Sequence, residues 1–160
     1  MAREIAVVQP LQPGDHAPML RGEPSEWLPS PRHAGPDRWR IQLRVGGIER
    51  TVLCRVGTPW TTAEGLQRRL IWTPLPEDAD VLPIERMLPA LDGELHLVGS
   101  AVAPSLALVG EVEVPLGRFG EVVDALVLGR IAHRGAATFL QEVSARLAAP
   151  AQELAAHQRS

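Results

Sequence analysis

Trp39, Ile41, Leu43 and Val45 alternate with Arg38, Arg40, Gln42 and Arg44. Period two over eight residues predicts a strand with one buried and one charged face. Gly46-Gly47 supplies a two-residue turn, and Ile48 to Val56 the return strand of an antiparallel hairpin. The β-branched run at 3–9, closed by Pro10, predicts a first strand. Pro10, Pro13, Pro18, Pro24 and Pro29 then interrupt the chain, leaving room for short helical turns at 16–21 and 24–28. Residues 29–37 read as a loop, 57–64 as a turn and 66–75 as a strand. The acidic, proline-broken stretch 76–91 predicts no element. Asp92-Gly93 reads as a turn, and 94–99 and 105–114 as two further strands joined by a loop containing Pro104.

The period changes after Pro115-Leu116-Gly117. Phe119, Val122, Val123, Leu126, Ile131, Ala132, Phe139, Leu140, Val143 and Leu147 follow three- and four-residue spacings. They predict a helix over 118–148, ~45 Å long at 1.5 Å per residue. Gly129 and Gly135 each weaken its centre by roughly 1 kcal/mol relative to alanine, so packing must hold it. The stretch from Pro150 to Ser160 reads as a flexible tail, which makes 1–149 one domain. A strand, short helical turns, a run of antiparallel strands and one long helix define an α+β fold, a curved sheet wrapped around the C-terminal helix.

Composition narrows the class. A chain of 160 residues, 45% hydrophobic and 22% charged, has the profile of a single globular domain with a real core. A net charge of -3 and a pI near 5.9 argue against a nucleic-acid binder. Cys54 is the single cysteine, which excludes an intrachain disulfide and a cysteine-based zinc site and fits a reducing cytoplasm. The apolar run Ile5–Val8 is short for a signal peptide, and no run approaches the ~20 residues of a membrane helix, so membrane insertion is not expected. All sixteen basic residues are arginine, the codon usage of a GC-rich genome such as an actinobacterium's.

The chain holds no G-x-S-x-G, H-E-x-x-H, P-loop or G-x-G-x-x-G pattern. No cofactor or metal is expected. Large rings at Trp39 and Trp72 fill a core or line a cavity, and Trp27 reads as a lid residue. Trp72 shares a strand face with Leu66, Arg68 and Leu70. His96, in phase with Glu94, is a candidate proton carrier if it reaches a cavity and a solvent-facing strand residue otherwise. Glu85-Arg86, beside Met87, is either a polar pair at a cavity mouth or an exposed ion pair. Arg38, Arg40, Arg44, Arg55, Arg68 and Arg69 form a basic stripe if their strands align. His133 and Arg134 lie on the long helix, either on a solvated face or on a face turned to a cavity. Gly117 to Gly120 offers either backbone N–H groups to an anion or a simple helix-starting turn. Cys54 reads as a small buried hydrophobe.

Several stretches resemble the START-like or SRPBCC superfamily, which includes Bet v 1-like and polyketide cyclase-like proteins. They are SEWLP (25–29), LIWTPL (70–75), LPALDGELHL (88–97) and the strand, Pro-Leu-Gly turn and amphipathic helix over 106–147. The resemblance covers 3–148 and implies a helix-grip fold with an apolar cavity between sheet and C-terminal helix. It implies a small hydrophobic or amphipathic ligand, with Trp39, Trp72, Arg68, Glu85, Met87, His96 and Leu126 as candidate cavity residues, in a monomer or homodimer. Two other functions stay open. One is a cyclase or aromatase, with His96, Glu85 and Arg68 as candidates to move a proton. The other is a protein-interaction module that docks through the sheet face or the arginine stripe.

Overall fold

The β3–β4 hairpin is the regular centre of the molecule. In the computed structural model, which describes residues 2–75, 88–113 and 125–158 (side chains of the last stretch at 129–149), β3 spans Arg38–Val45 and β4 Ile48–Val56. Gly46 and Gly47 both take positive φ in the turn between them, and Val45 faces Ile48. Around this hairpin lie β1 (Ala2–Pro10), β2 (Arg32–Gly35), β5 (Trp60–Thr62), β6 (Gly65–Pro74), β7 (Ala90–Val98) and β8 (Ser105–Glu113). The helices are a short α1 (Ala17–Arg21) and the long α2 (Ala125–Gln158), with a 3-10 turn at Pro24–Glu26. The strand order is β1-β8-β7-β6-β4-β3-β2, with β5 paired to β6, and every pairing is antiparallel.

The sheet has two chemically distinct faces. Trp39, Cys54, Trp72, Leu91 and Val112 align across five strands and continue to Arg3 on β1. A parallel row runs Arg68, Leu95, Leu108 and Val7. These residues form the concave face, and α1, the 3-10 turn and α2 pack on it. Leu20, Trp27 and Leu28 from the first helical segment and Ala132, Ala136, Phe139, Leu140 and Val143 from α2 complete one continuous core. Each large apolar side chain enclosed here contributes roughly 1.5–3 kcal/mol. Gly135 sits where α2 crosses Leu88: a Cβ there would stand 2.8 Å from Leu88 Cδ2. The glycines that weaken the helix locally thus permit its close seating.

The α+β helix-grip architecture read from the sequence is the observed one. Details differ. The segment 32–35, predicted as loop, is β2, held by pairing of Arg32 with Arg40 and His33 with Trp39. Four residues between prolines are too few to show a period. The segment 60–62, predicted within a turn, is β5, folded back on β6. Asp92-Gly93 is strand interior, not a turn, because both are paired between β6 and β8. There Gly93 faces Gly110, and a Cβ on either would stand 2.7 Å or 2.5 Å from a backbone carbonyl oxygen of the adjacent strand. Glycine serves close strand approach here rather than chain reversal. The helical backbone continues through Pro150 to Gln158, farther than the periodicity predicts.

Candidate functional site

The concave face brings together three of the predicted cavity residues, Trp39, Trp72 and Arg68. Trp72 lies 1% exposed, its Nε1–H donating to the Pro89 carbonyl at 3.0 Å and its ring 5.6 Å from that of Phe139. The central part of α2 is thereby set against the sheet. Trp39 is buried under the His33 ring at 4.0 Å. Cys54, paired between Trp39 and Trp72, is fully enclosed, and burial pushes its thiol up to about 12. The thiolate is the nucleophilic form, so this cysteine is chemically quiet in the folded protein.

Arg68 also faces inward. Its Nε donates to the Gly57 carbonyl at 2.9 Å, and its Nη1 to the carbonyls of Leu20 and Gly22, both at 2.8 Å. The guanidinium carbon lies 5.7 Å from the Trp27 ring centroid, a cation–π distance. Burial lowers the pKa of Arg68, with Glu23 acting the other way. The side chain is a clamp: it ties α1 and the chain after it to β6 and to the turn after β4. The space beside it, lined by Leu20, Leu66, Arg68, Leu95, Leu97 and Leu106, is only about 10 Å³, no more than one water.

A larger space opens between β1 and α2. This cleft is about 450 Å³ and is lined by Arg3, Glu4, Ile5, Ala6, Val112, Gly129, Arg130 and His133. Ile5 and Val112 belong to the concave rows, so the apolar floor of the cleft is continuous with the core. Arg3, Arg130 and His133 set a basic rim against the one carboxylate of Glu4. Arg3 reaches over Gly129, where a Cβ would stand 2.5 Å from Arg3 Nη1 and the flexible arginine end would have to shift.

The structure therefore brings Trp39, Trp72 and Arg68 to one face and separates His96 from them. His96 is on the convex face, paired between Gln67 and Ala107, with Nε2 3.1 Å from Glu94 Oε2. Placing His96 on the cavity wall is corrected by strand parity: Leu95 and Leu97 take the inward positions. Glu85 and Met87, with Arg86, lie outside the described residues, as does Gly117 to Gly120. Leu126 falls on α2 where side chains are not described. Of the arginine stripe, Arg38, Arg40, Arg44, Arg55 and Arg69 are exposed, whereas Arg68 turns inward. Three further cleft or interior residues escaped the sequence reading. Arg50, opposite Leu43 and 6% exposed, is an interior cation with a pKa lowered by burial. Its signal was legible, since Arg50 is in phase with Val52, Cys54 and Val56. Arg3 is likewise in phase with Ile5 and Val7. Arg130 carries no local signal, because cleft formation depends on where the helix lands. Among the described residues no three His, Cys, Asp or Glu side chains are gathered to hold a metal, and no helix is long and apolar enough to cross a membrane.

No known family profile and no curated protein matches the sequence. Solved structures do match. The Zhui aromatase/cyclase from a Streptomyces species is 15% identical, with 92% of this chain and 94% of that one covered and a TM-score of 0.55. The TTHA0849 protein from Thermus thermophilus is 17% identical, covering 92% and 99%, with a TM-score of 0.54. Near-complete mutual coverage with TM-scores above 0.5 shows that this chain shares the fold of these two proteins.

Proposed function

We propose that this protein binds a small hydrophobic or amphipathic molecule between the concave sheet face and the C-terminal helix. The observation that carries the reading is the cleft between β1 and α2. Its volume of about 450 Å³ lies within the ~300–1,000 Å³ common for small-molecule sites. Its floor is apolar and joins the core, and its rim is basic. That division suits a ligand with an apolar body and an acidic end, the body over Ile5 and Val112 and the end near Arg130 and His133. The shared fold of the Zhui aromatase/cyclase supports the alternative of cyclisation chemistry. The convex position of His96 and the three carbonyl bonds of Arg68 favour binding over proton transfer by those residues.

Tryptophan fluorescence provides the test, titrating the protein with a fatty acid and with the alcohol of equal chain length. The expected result is saturable binding of the acid, about tenfold tighter than the alcohol, one charge-assisted contact being worth ~1.4 kcal/mol or more. Arg130→Glu should remove that preference. Saturation by neither ligand would overturn the reading, and equal binding of both would remove the acidic end from it.

A further inference from the structure

The cleft between β1 and α2 draws its cationic groups from both of its walls. On β1, strand parity turns Arg3 inward, opposite Val112 and in phase with Ile5. The same parity puts Glu4, opposite Glu111, on the other face of the strand from Arg3. On α2, Gly129, Arg130 and His133 line the same space. Gly129 and His133 are four residues apart, and Arg130 and His133 three, so all three positions are neighbours on the helix surface. The Arg3 guanidinium lies over Gly129, which sets it within about one helical turn of Arg130 and His133. Arg3 is already engaged by an interaction within the chain. Arg130 and His133 are exposed and make no hydrogen bond or ion pair among the described residues. A carboxylate has two coplanar oxygens, which a single guanidinium fork covers. Donors that approach from a strand on one side and a helix on the other suit acceptor oxygens in more than one plane. A phosphate monoester supplies three such oxygens and a charge of about −1.5 to −2 at neutral pH.

We infer that the acidic end of the ligand is a phosphate monoester carried on an apolar body, bound by Arg130 and His133 of α2 beside the Arg3 guanidinium. Arg130 donates a fork of N–H bonds to two phosphate oxygens, and His133 donates an imidazole N–H to the third. Arg3 keeps its own contact and adds the attraction of a nearby positive charge. The body lies over Ile5 and Val112, where the floor of the cleft joins the core. The inference rests on the ligand-binding reading of this cleft and adds to it the chemistry of the head group.

Isothermal titration calorimetry at pH 7.5 and low salt tests it with decyl phosphate, decyl sulfate and a fatty acid of matching length, each below its micelle concentration. Decyl sulfate has the same tetrahedral shape and three terminal oxygens but one charge, so it isolates the second charge. Decyl phosphate should bind about tenfold tighter than decyl sulfate, the effect of one further charge close to these cations. The double variant Arg130→Gln with His133→Gln should bring decyl phosphate to within about twofold of decyl sulfate. Both substituted positions are exposed, and far-ultraviolet circular dichroism checks that the variant is folded. Inorganic phosphate at the same concentration should fail to displace decyl phosphate, because it lacks the apolar body. Displacement by inorganic phosphate would overturn the amphipathic ligand in favour of a free anion. Equal affinity for decyl phosphate, decyl sulfate and the fatty acid would overturn the head group and leave the ligand-binding reading standing. A phosphate preference that survives in the double variant would overturn the role of Arg130 and His133. Saturation by none of the three would overturn both readings together.

Discussion

Replacing Arg68 by methionine keeps an unbranched apolar stem and removes the donors at its end. Three carbonyls, of Gly57, Leu20 and Gly22, then lose charge-assisted bonds of 2.9, 2.8 and 2.8 Å. Such bonds are worth about 1.5–3 kcal/mol each when enclosed. Two of the three are only partly enclosed, so water takes over part of the role, and a total near 3 kcal/mol follows. The loss also frees the segment that seats Leu20, Trp27 and Leu28 in the core. With a slope of about 2 kcal/mol/M for a chain this size, the urea midpoint should fall by ~1.5 M. Arg68→Lys keeps the charge but not the planar fork, and should lie between the two. Urea unfolding followed by tryptophan fluorescence reads all three proteins. A midpoint for Arg68→Met within ~0.25 M of the unaltered chain would refute the clamp and return Arg68 to the ligand site.

Gly110→Ala places a Cβ 2.5 Å from the Asp92 carbonyl oxygen, a backbone atom that cannot swing away, so thermal unfolding should show a loss of about 2 kcal/mol or more. With its thiol at about 12 instead of the ordinary 9.0, Cys54 should react with a thiol reagent at pH 8 about a thousandfold more slowly in the folded protein than in urea; equal rates would place it at the surface. Burial raises the Glu142 carboxyl above its ordinary 4.5, and Arg146 opposes this less strongly. Between the unfolded and folded values the folded state holds more protons, so stability falls as pH rises through that window and stays lower above it. Glu142→Gln should therefore be the more stable protein at pH 7, by urea unfolding, and should lose that advantage below pH 4.5.

What could be read from the sequence depended on the range of the physics involved. The β3–β4 hairpin declared itself through eight alternating residues and a Gly-Gly turn, all local. The long helix declared itself through its period, although its glycines made sense only once Arg3 and Leu88 were seen beside them. β2 and β5 did not, because three or four residues carry no period and their pairing comes from distant partners. Asp92-Gly93 misled because the same dipeptide serves a tight turn and a close strand crossing, and only the neighbouring strand decides. Trp39 and Trp72 were rightly placed inside by parity. Applied to Glu94 and His96, the same parity already pointed His96 outward, and to Arg50 it pointed an arginine inward. The cleft joins residues 3–6 to 129–133, and no local pattern reports a contact of that span.

Native mass spectrometry of the protein purified from its own host tests ligand binding most directly. The account predicts a 17.4 kDa chain carrying a discrete added mass that disappears on denaturation and fragments as an amphipathic molecule. A bare chain that also takes up neither the fatty acid nor its alcohol from solution would contradict it.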